Sequence, residues 1–90
     1  GAICAAPMVL ASTGILEGKK ATCYPGFEQY FSENTEYTAT LFQEDGNVIT
    51  GEGPAATLPY AYQILSYFAG KEIVAALQDG MMYDHLMQSK

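Results

Sequence analysis

Basic side chains are scarce in this 90-residue chain. Four lysines and arginines stand against ten acidic residues, a net charge of −6 at pH 7. Nucleic-acid affinity comes mostly from Lys and Arg neutralising phosphate, and anionic membrane surfaces recruit the same charges, so neither is expected as a partner. Long apolar runs are also missing: none approaches the roughly 18 residues of a spanning helix. No basic stretch precedes an apolar one as in a secretion leader, and the chain reads as cytoplasmic. Two cysteines, Cys4 and Cys23, are too few for a disulfide scaffold and suit a reducing compartment. His85 is the only histidine, and no Cys or His spacing resembles a zinc motif, so no metal or cofactor is implied and His85 reads as an ordinary surface or interface residue. Gly51-Glu52-Gly53 lacks the spacing and the lysine of a phosphate loop and reads as a turn.

Apolar material, by contrast, is plentiful. Hydrophobic residues make up 49% and charged residues 16% of the chain, the balance of a larger, well-covered α/β protein. Ninety residues hold one domain, and a chain this short buries only about 60–65% of its unfolded surface. It is therefore expected to be part of something bigger. The pattern predicts a helix over Ala6–Thr13, opened by Pro7 and ended by Gly14. A strand is expected over Ala21–Tyr24 and a helical turn over Phe27–Phe31. A hairpin follows, with strands Tyr37–Gln43 and Val48–Thr50 around Glu44-Asp45-Gly46-Asn47. Helices over Ala56–Ala69 and Lys71–Gln78 and a helical tail, Met81–Lys90, complete an α/β arrangement. Tyr60, Tyr62, Tyr67 and Phe68 mark the long helix as core or dimer interface. Glu28, Glu33, Glu36, Glu44 and Asp45 read as a solvated acidic surface.

Cys4 lies where a strand turns into a helix. Only Gly1, Ala2 and Ile3 precede it, too little for a central strand, so the chain is expected to begin in the middle of a fold. A nucleophile on such a turn needs small neighbours two residues away on each side, and Ala2 and Ala6 meet that need. The following helix aims its N-terminus at the sulfur, which lowers a thiol pKa, and the Ala5 N–H faces an oxyanion formed on attack. A buried, inert Cys4 in an Ala-rich packing segment is the alternative from these residues alone.

The segments AICAAP (2–7), GKKATCYPGFE (18–28), DGNVITGEGPAAT (45–57) and AGKE (69–72) resemble, in order, the ThiJ/PfpI superfamily. Within it they are most similar to the Parkinson-disease-protein branch of deglycase and glyoxalase III-like proteins. The blocks span about residues 1–78. The resemblance implies a flavodoxin-like α/β sandwich of the class I glutamine amidotransferase-like type, usually a homodimer, with a reactive cysteine at its elbow. Its members are about twice as long, so residues 1–90 are expected to be the C-terminal half of a single domain whose N-terminal half is absent. That half, as a separate polypeptide or in a parent chain, is the expected partner. The resemblance places Cys4 as the reactive cysteine, Ala5 as the residue whose N–H supports it, and Gly53 and Pro54 in the loop closing the pocket.

Several positions depart from the family pattern. Tyr24 stands where many relatives carry a histidine near the cysteine, and a hydroxyl with a pKa near 10 donates a hydrogen bond but is a poor base. Glu52 replaces an arginine of some relatives, which makes the pocket rim less receptive to anions. The glutamate that partners the cysteine belongs to the absent half. Ala5 replaces the histidine of the peptidase-like branch, which excludes that Cys-His dyad. No phosphate cradle supports thiazole-monophosphate synthesis. The resemblance therefore implies a Cys4 thiolate acting on methylglyoxal-type carbonyls, or alternatively a redox-sensing or chaperone-like stress protein whose Cys4 oxidises. Cys23 would resolve a Cys4 sulfenic acid only if it faced the same way as Tyr24, and strand alternation argues against that.

Overall fold

A computed structural model of the chain describes residues 1–88. Its centre is β5 (Val48–Gly51), buried along its whole length between β1 (Ala2–Ile3) and β4 (Phe42–Asp45). The β-branched run Val48-Ile49-Thr50 suits a strand covered on both faces. β1 pairs with it in parallel, Ala2 opposite Thr50, and β4 pairs antiparallel, Phe42 opposite Gly51. A second, two-stranded sheet joins β2 (Lys20–Ala21) in parallel to β3 (Glu36–Tyr37). The helices are α1 (Pro7–Ser12), α2 (Thr57–Ala69), α3 (Lys71–Gly80) and α4 (Tyr83–Gln88), with 3₁₀ turns at Phe27–Tyr30 and Pro54–Ala56. Leu16, Ala21 and Val48 form a buried cluster on which Leu10, Ala11 and Phe31 pack.

The expected α/β architecture is present, with differences at strand ends. The hairpin loop is two residues rather than four. Asp45 pairs with Val48, leaving Gly46-Asn47, and Gly46 takes φ +61° at the first loop position, where a type II′ turn calls for glycine. The expected strand Tyr37–Gln43 is split. Ala39 sits at φ +53°, and the hydroxyls of Thr38 and Thr40 bond each other at 2.8 Å while Thr40 also donates to the Phe42 carbonyl at 2.9 Å. Threonine hydroxyls here offer the backbone an alternative to the ladder.

The strand expected over Ala21–Tyr24 is confined to β2 because its later amides have other partners. Thr22 N–H donates to Thr50 Oγ1 at 2.9 Å, and Tyr24 N–H donates to the Cys4 carbonyl at 2.8 Å. The Thr22 hydroxyl donates to the Thr40 carbonyl at 2.7 Å. These bonds hold the segment after β2 against the end of β1 and β5. The tail helix begins two residues later than expected, because Met82 at φ +57° separates α3 from α4; the expected end at Ser89 and Lys90 lies outside the described residues.

The aromatic helix α2 divides its side chains. Tyr62 is buried, stacks edge-on with Tyr83 at 4.9 Å and donates its hydroxyl to Met81 Sδ at 3.3 Å. Tyr60 lies against β1 and β5, where a Cβ on Gly51 would meet its ring at 2.9 Å and the Ile3 side chain at 2.8 Å. Only glycine allows that approach. Phe68, 80% exposed, and Tyr67 face outward, as do Ile73 of α3, Leu86 of α4 and Met82 between the two helices. No helix among the described residues is long and apolar enough to cross a membrane.

Candidate functional site

β1 ends at Ile3 and α1 begins at Pro7, so the chain must reverse within three residues. Cys4 makes that turn at φ +65°, in the left-handed region. For a residue with a Cβ this costs roughly 1–2 kcal/mol and persists only where neighbouring structure fixes it. Two hydrogen bonds do so. Cys4 N–H donates to the Gly51 carbonyl at 3.0 Å, continuing the β1–β5 ladder, and the Cys4 carbonyl accepts from Tyr24 N–H. Ala6 N–H closes the turn on the Ile3 carbonyl at 3.1 Å. Among the described residues the Ala5 N–H has no acceptor. Cys4 is half-buried and is a free thiol.

A cavity of about 280 Å³ opens beside this turn, its walls including Tyr24, Pro25, Leu41, Glu52, Gly53 and Pro54. Three candidate residues, Tyr24, Gly53 and Pro54, thus share one cavity. Gly53 is buried against the Tyr24 ring, which a Cβ there would meet at 3.4 Å, an ordinary contact distance. Cys4 and Ala5 are not among the lining residues, and the bond from Tyr24 to Cys4 is what joins turn to cavity. Tyr24 is 46% exposed and its ring meets Phe27 edge-on at 6.4 Å. The 3₁₀ turn carrying Phe27 is set by Glu28, whose carboxylate accepts Gly26 N–H at 2.6 Å. Leu41 was not foreseen as a wall residue. The hairpin register carries the signal for it: with Phe42 opposite Gly51, Leu41 falls opposite Glu52, whose N–H donates to the Leu41 carbonyl at 2.9 Å.

Cys23 is fully buried while its neighbour Tyr24 is exposed, so the two side chains point to opposite sides. Burial, reinforced by the negative charges of Glu28, Glu52 and Cys4, pushes the Cys23 thiol from 9.0 up to about 11. A thiol held protonated is a poor nucleophile, which argues against Cys23 resolving an oxidised Cys4. The raised pKa also links to stability. The folded state keeps the proton more tightly than the unfolded chain, so this contribution is complete below pH 9 and disappears as pH rises through about 11. The urea midpoint is expected to fall across that window, and less steeply in Cys23→Ala. Equal slopes in both proteins would contradict the assignment.

His85 is exposed on α4 and takes no part in the site, and no cluster of three metal-ligating side chains occurs among the described residues.

A mixed sheet with helices, a sharp strand-to-helix turn holding a thiol and a cavity beside it define an α/β protein of the elbow-cysteine type. Comparison with known proteins makes this specific. Residues 1–67 match the DJ-1/PfpI family, and the chain belongs to that family. It is 39% identical over 82 residues to Protein dj-1beta of Drosophila melanogaster, covering 90% of this chain and 44% of that protein. It is 34% identical over 79 residues to the Parkinson disease protein 7 homolog of Danio rerio, covering 86% and 42% of the two chains. The crystal structure of Drosophila melanogaster DJ-1beta superposes with a TM-score of 0.81 at 38% identity, over 90% of this chain and 45% of that one. The chain thus spans less than half the length of these relatives.

Proposed function

We propose that Cys4 is the nucleophile of a site for small reactive carbonyls, methylglyoxal-type 2-oxoaldehydes and the adducts they form on proteins. The observation that carries this reading is the left-handed Cys4 turn, held at both its N–H and its carbonyl. The thiolate adds to the aldehyde carbon, the carbonyl π electrons move to oxygen, and the unengaged Ala5 N–H donates to that oxyanion. Tyr24 donates a hydrogen bond from the cavity side, while Gly53 and Pro54 bound the space for the carbonyl compound. In this reading a glutamate of an N-terminal half moves the proton, and the working protein combines this chain with that half, as a parent chain or a second polypeptide, in a cytoplasmic homodimer. The exposed apolar residues Phe68, Ile73, Met82 and Leu86 support a need for further covering surface.

The experiment is protection of Cys4 in the assembled protein, this chain together with its N-terminal half. Methylglyoxal is expected to slow alkylation of Cys4 by iodoacetamide, followed by peptide mapping. An unchanged rate at saturating methylglyoxal would overturn the assignment of Cys4.

One observation favours a second reading, a redox-sensing or chaperone-like stress protein in which Cys4 becomes a sulfinate. The only histidine stands on α4, so no imidazole lines the cavity as a proton shuttle. Gain of two oxygens on Cys4 from added hydrogen peroxide, with one water released per oxygen transferred and no carbonyl turnover, would support it.

A further inference from the structure

The cavity beside the Cys4 turn has one acidic side chain in its wall. Glu52 contributes a carboxylate, its backbone is fixed by the bond to Leu41, and no lysine lines the space. The chain contains no arginine. The Glu52 side chain makes no hydrogen bond and is in no ion pair with the described residues, so nothing there offsets its charge. A second carboxylate, Glu28, is held on Gly26, the residue that follows the cavity-wall Pro25. The charges of both reach inward, since both raise the thiol of Cys23 and the hydroxyl of Tyr37 after burial. The other walls, Leu41, Pro25, Pro54 and the Tyr24 ring, are apolar and screen charge far less than water does.

From this wall we infer that the site selects by charge. It admits neutral or cationic carbonyl compounds, such as a free aldehyde or its adduct on an amine, and turns away carboxylate-bearing ones such as 2-oxo acids, with Glu52 the residue that discriminates. The inference deepens the carbonyl reading above and rests on it for the identity of the substrate. The charge selection itself is measured without turnover.

The test uses the assembled protein and methanethiosulfonates of similar size and opposite charge: 2-(trimethylammonio)ethyl (cation) and 2-sulfonatoethyl (anion). In each reaction the Cys4 thiolate forms a mixed disulfide and methanesulfinate leaves. Rates at Cys4 are divided by those for 2-mercaptoethanol, which removes the reagents' intrinsic difference. The expected cation-to-anion ratio is on the order of tenfold at low salt, collapsing toward unity in 1 M salt. Glu52→Gln is expected to remove most of the preference, while Glu52→Asp, which keeps the charge, and Glu72→Gln on α3 retain it. A ratio near unity in the unaltered protein, or one unmoved by Glu52→Gln, would overturn the inference. So would loss in Glu52→Gln and Glu52→Asp alike, which would reflect damage to the loop rather than loss of charge. A protein that keeps the ratio yet never consumes methylglyoxal would instead overturn the carbonyl reading and leave the charge selection standing.

Discussion

Replacing Cys4 with serine is expected to lower kcat/KM for methylglyoxal by at least about 10³-fold in the assembled protein, with little change in folding. Serine has nearly the same shape and adopts the same left-handed turn, and the bonds to Gly51 and Tyr24 involve only the backbone. What changes is the nucleophile: a serine hydroxyl is far less acidic and far less nucleophilic toward a carbonyl than a cysteine thiol. Cys23→Ser provides the contrast. Its thiol is fully buried and held protonated, so its replacement is expected to affect stability and leave kcat/KM within a few-fold. A Cys4→Ser protein retaining a tenth or more of the activity would end the covalent mechanism.

The second large effect concerns the core. Leu16→Ala is expected to cost about 3 kcal/mol, read from urea unfolding of the assembled protein. Leu16 is 1% exposed and fills the space between Ala21 and Val48, with Leu10, Ala11 and Phe31 around it. Those neighbours belong to α1, β2, β5 and the turn after Phe27, so the site cannot collapse without moving several elements. A domain's whole stability is commonly about 5–15 kcal/mol, so this one side chain removes a large share. A loss below about 1 kcal/mol would mean that the cluster is not the centre of the core. Because β2 leads directly to Tyr24 and β5 to Gly53, the same change is expected to loosen the cavity walls.

Much of this organisation is legible in the residues. Pro7 and Gly14 bracket α1, and the Asp45-Gly46 pair marks the hairpin. The small Ala2 and Ala6 flank the turn at Cys4, and the aromatic spacing marks α2. The α/β architecture follows from these together, and the family from the resemblance of the segments at 2–7, 18–28, 45–57 and 69–72. What escaped was governed by hydrogen bonds between segments far apart in sequence. Periodicity continues a strand through Thr22 and Tyr24, but it does not reveal that Thr50 and Cys4 take their amides. It runs Tyr37–Gln43 as one strand because threonine favours strands, whereas Thr38 and Thr40 use their hydroxyls to bend the chain at Ala39. The cavity wall shows the same limit. Leu41 becomes a wall residue through hairpin register, which the sequence contains only once the two-residue loop is assigned.

The most direct measurement is the steady-state consumption of methylglyoxal by the assembled protein, with the mass of the Cys4 peptide recorded at the end. The account predicts many equivalents consumed per chain and an unmodified Cys4 peptide. Consumption that stops at or below one equivalent would contradict it, and if hydrogen peroxide then adds two oxygens to Cys4, releasing one water for each, this chain is part of a sensor rather than an enzyme.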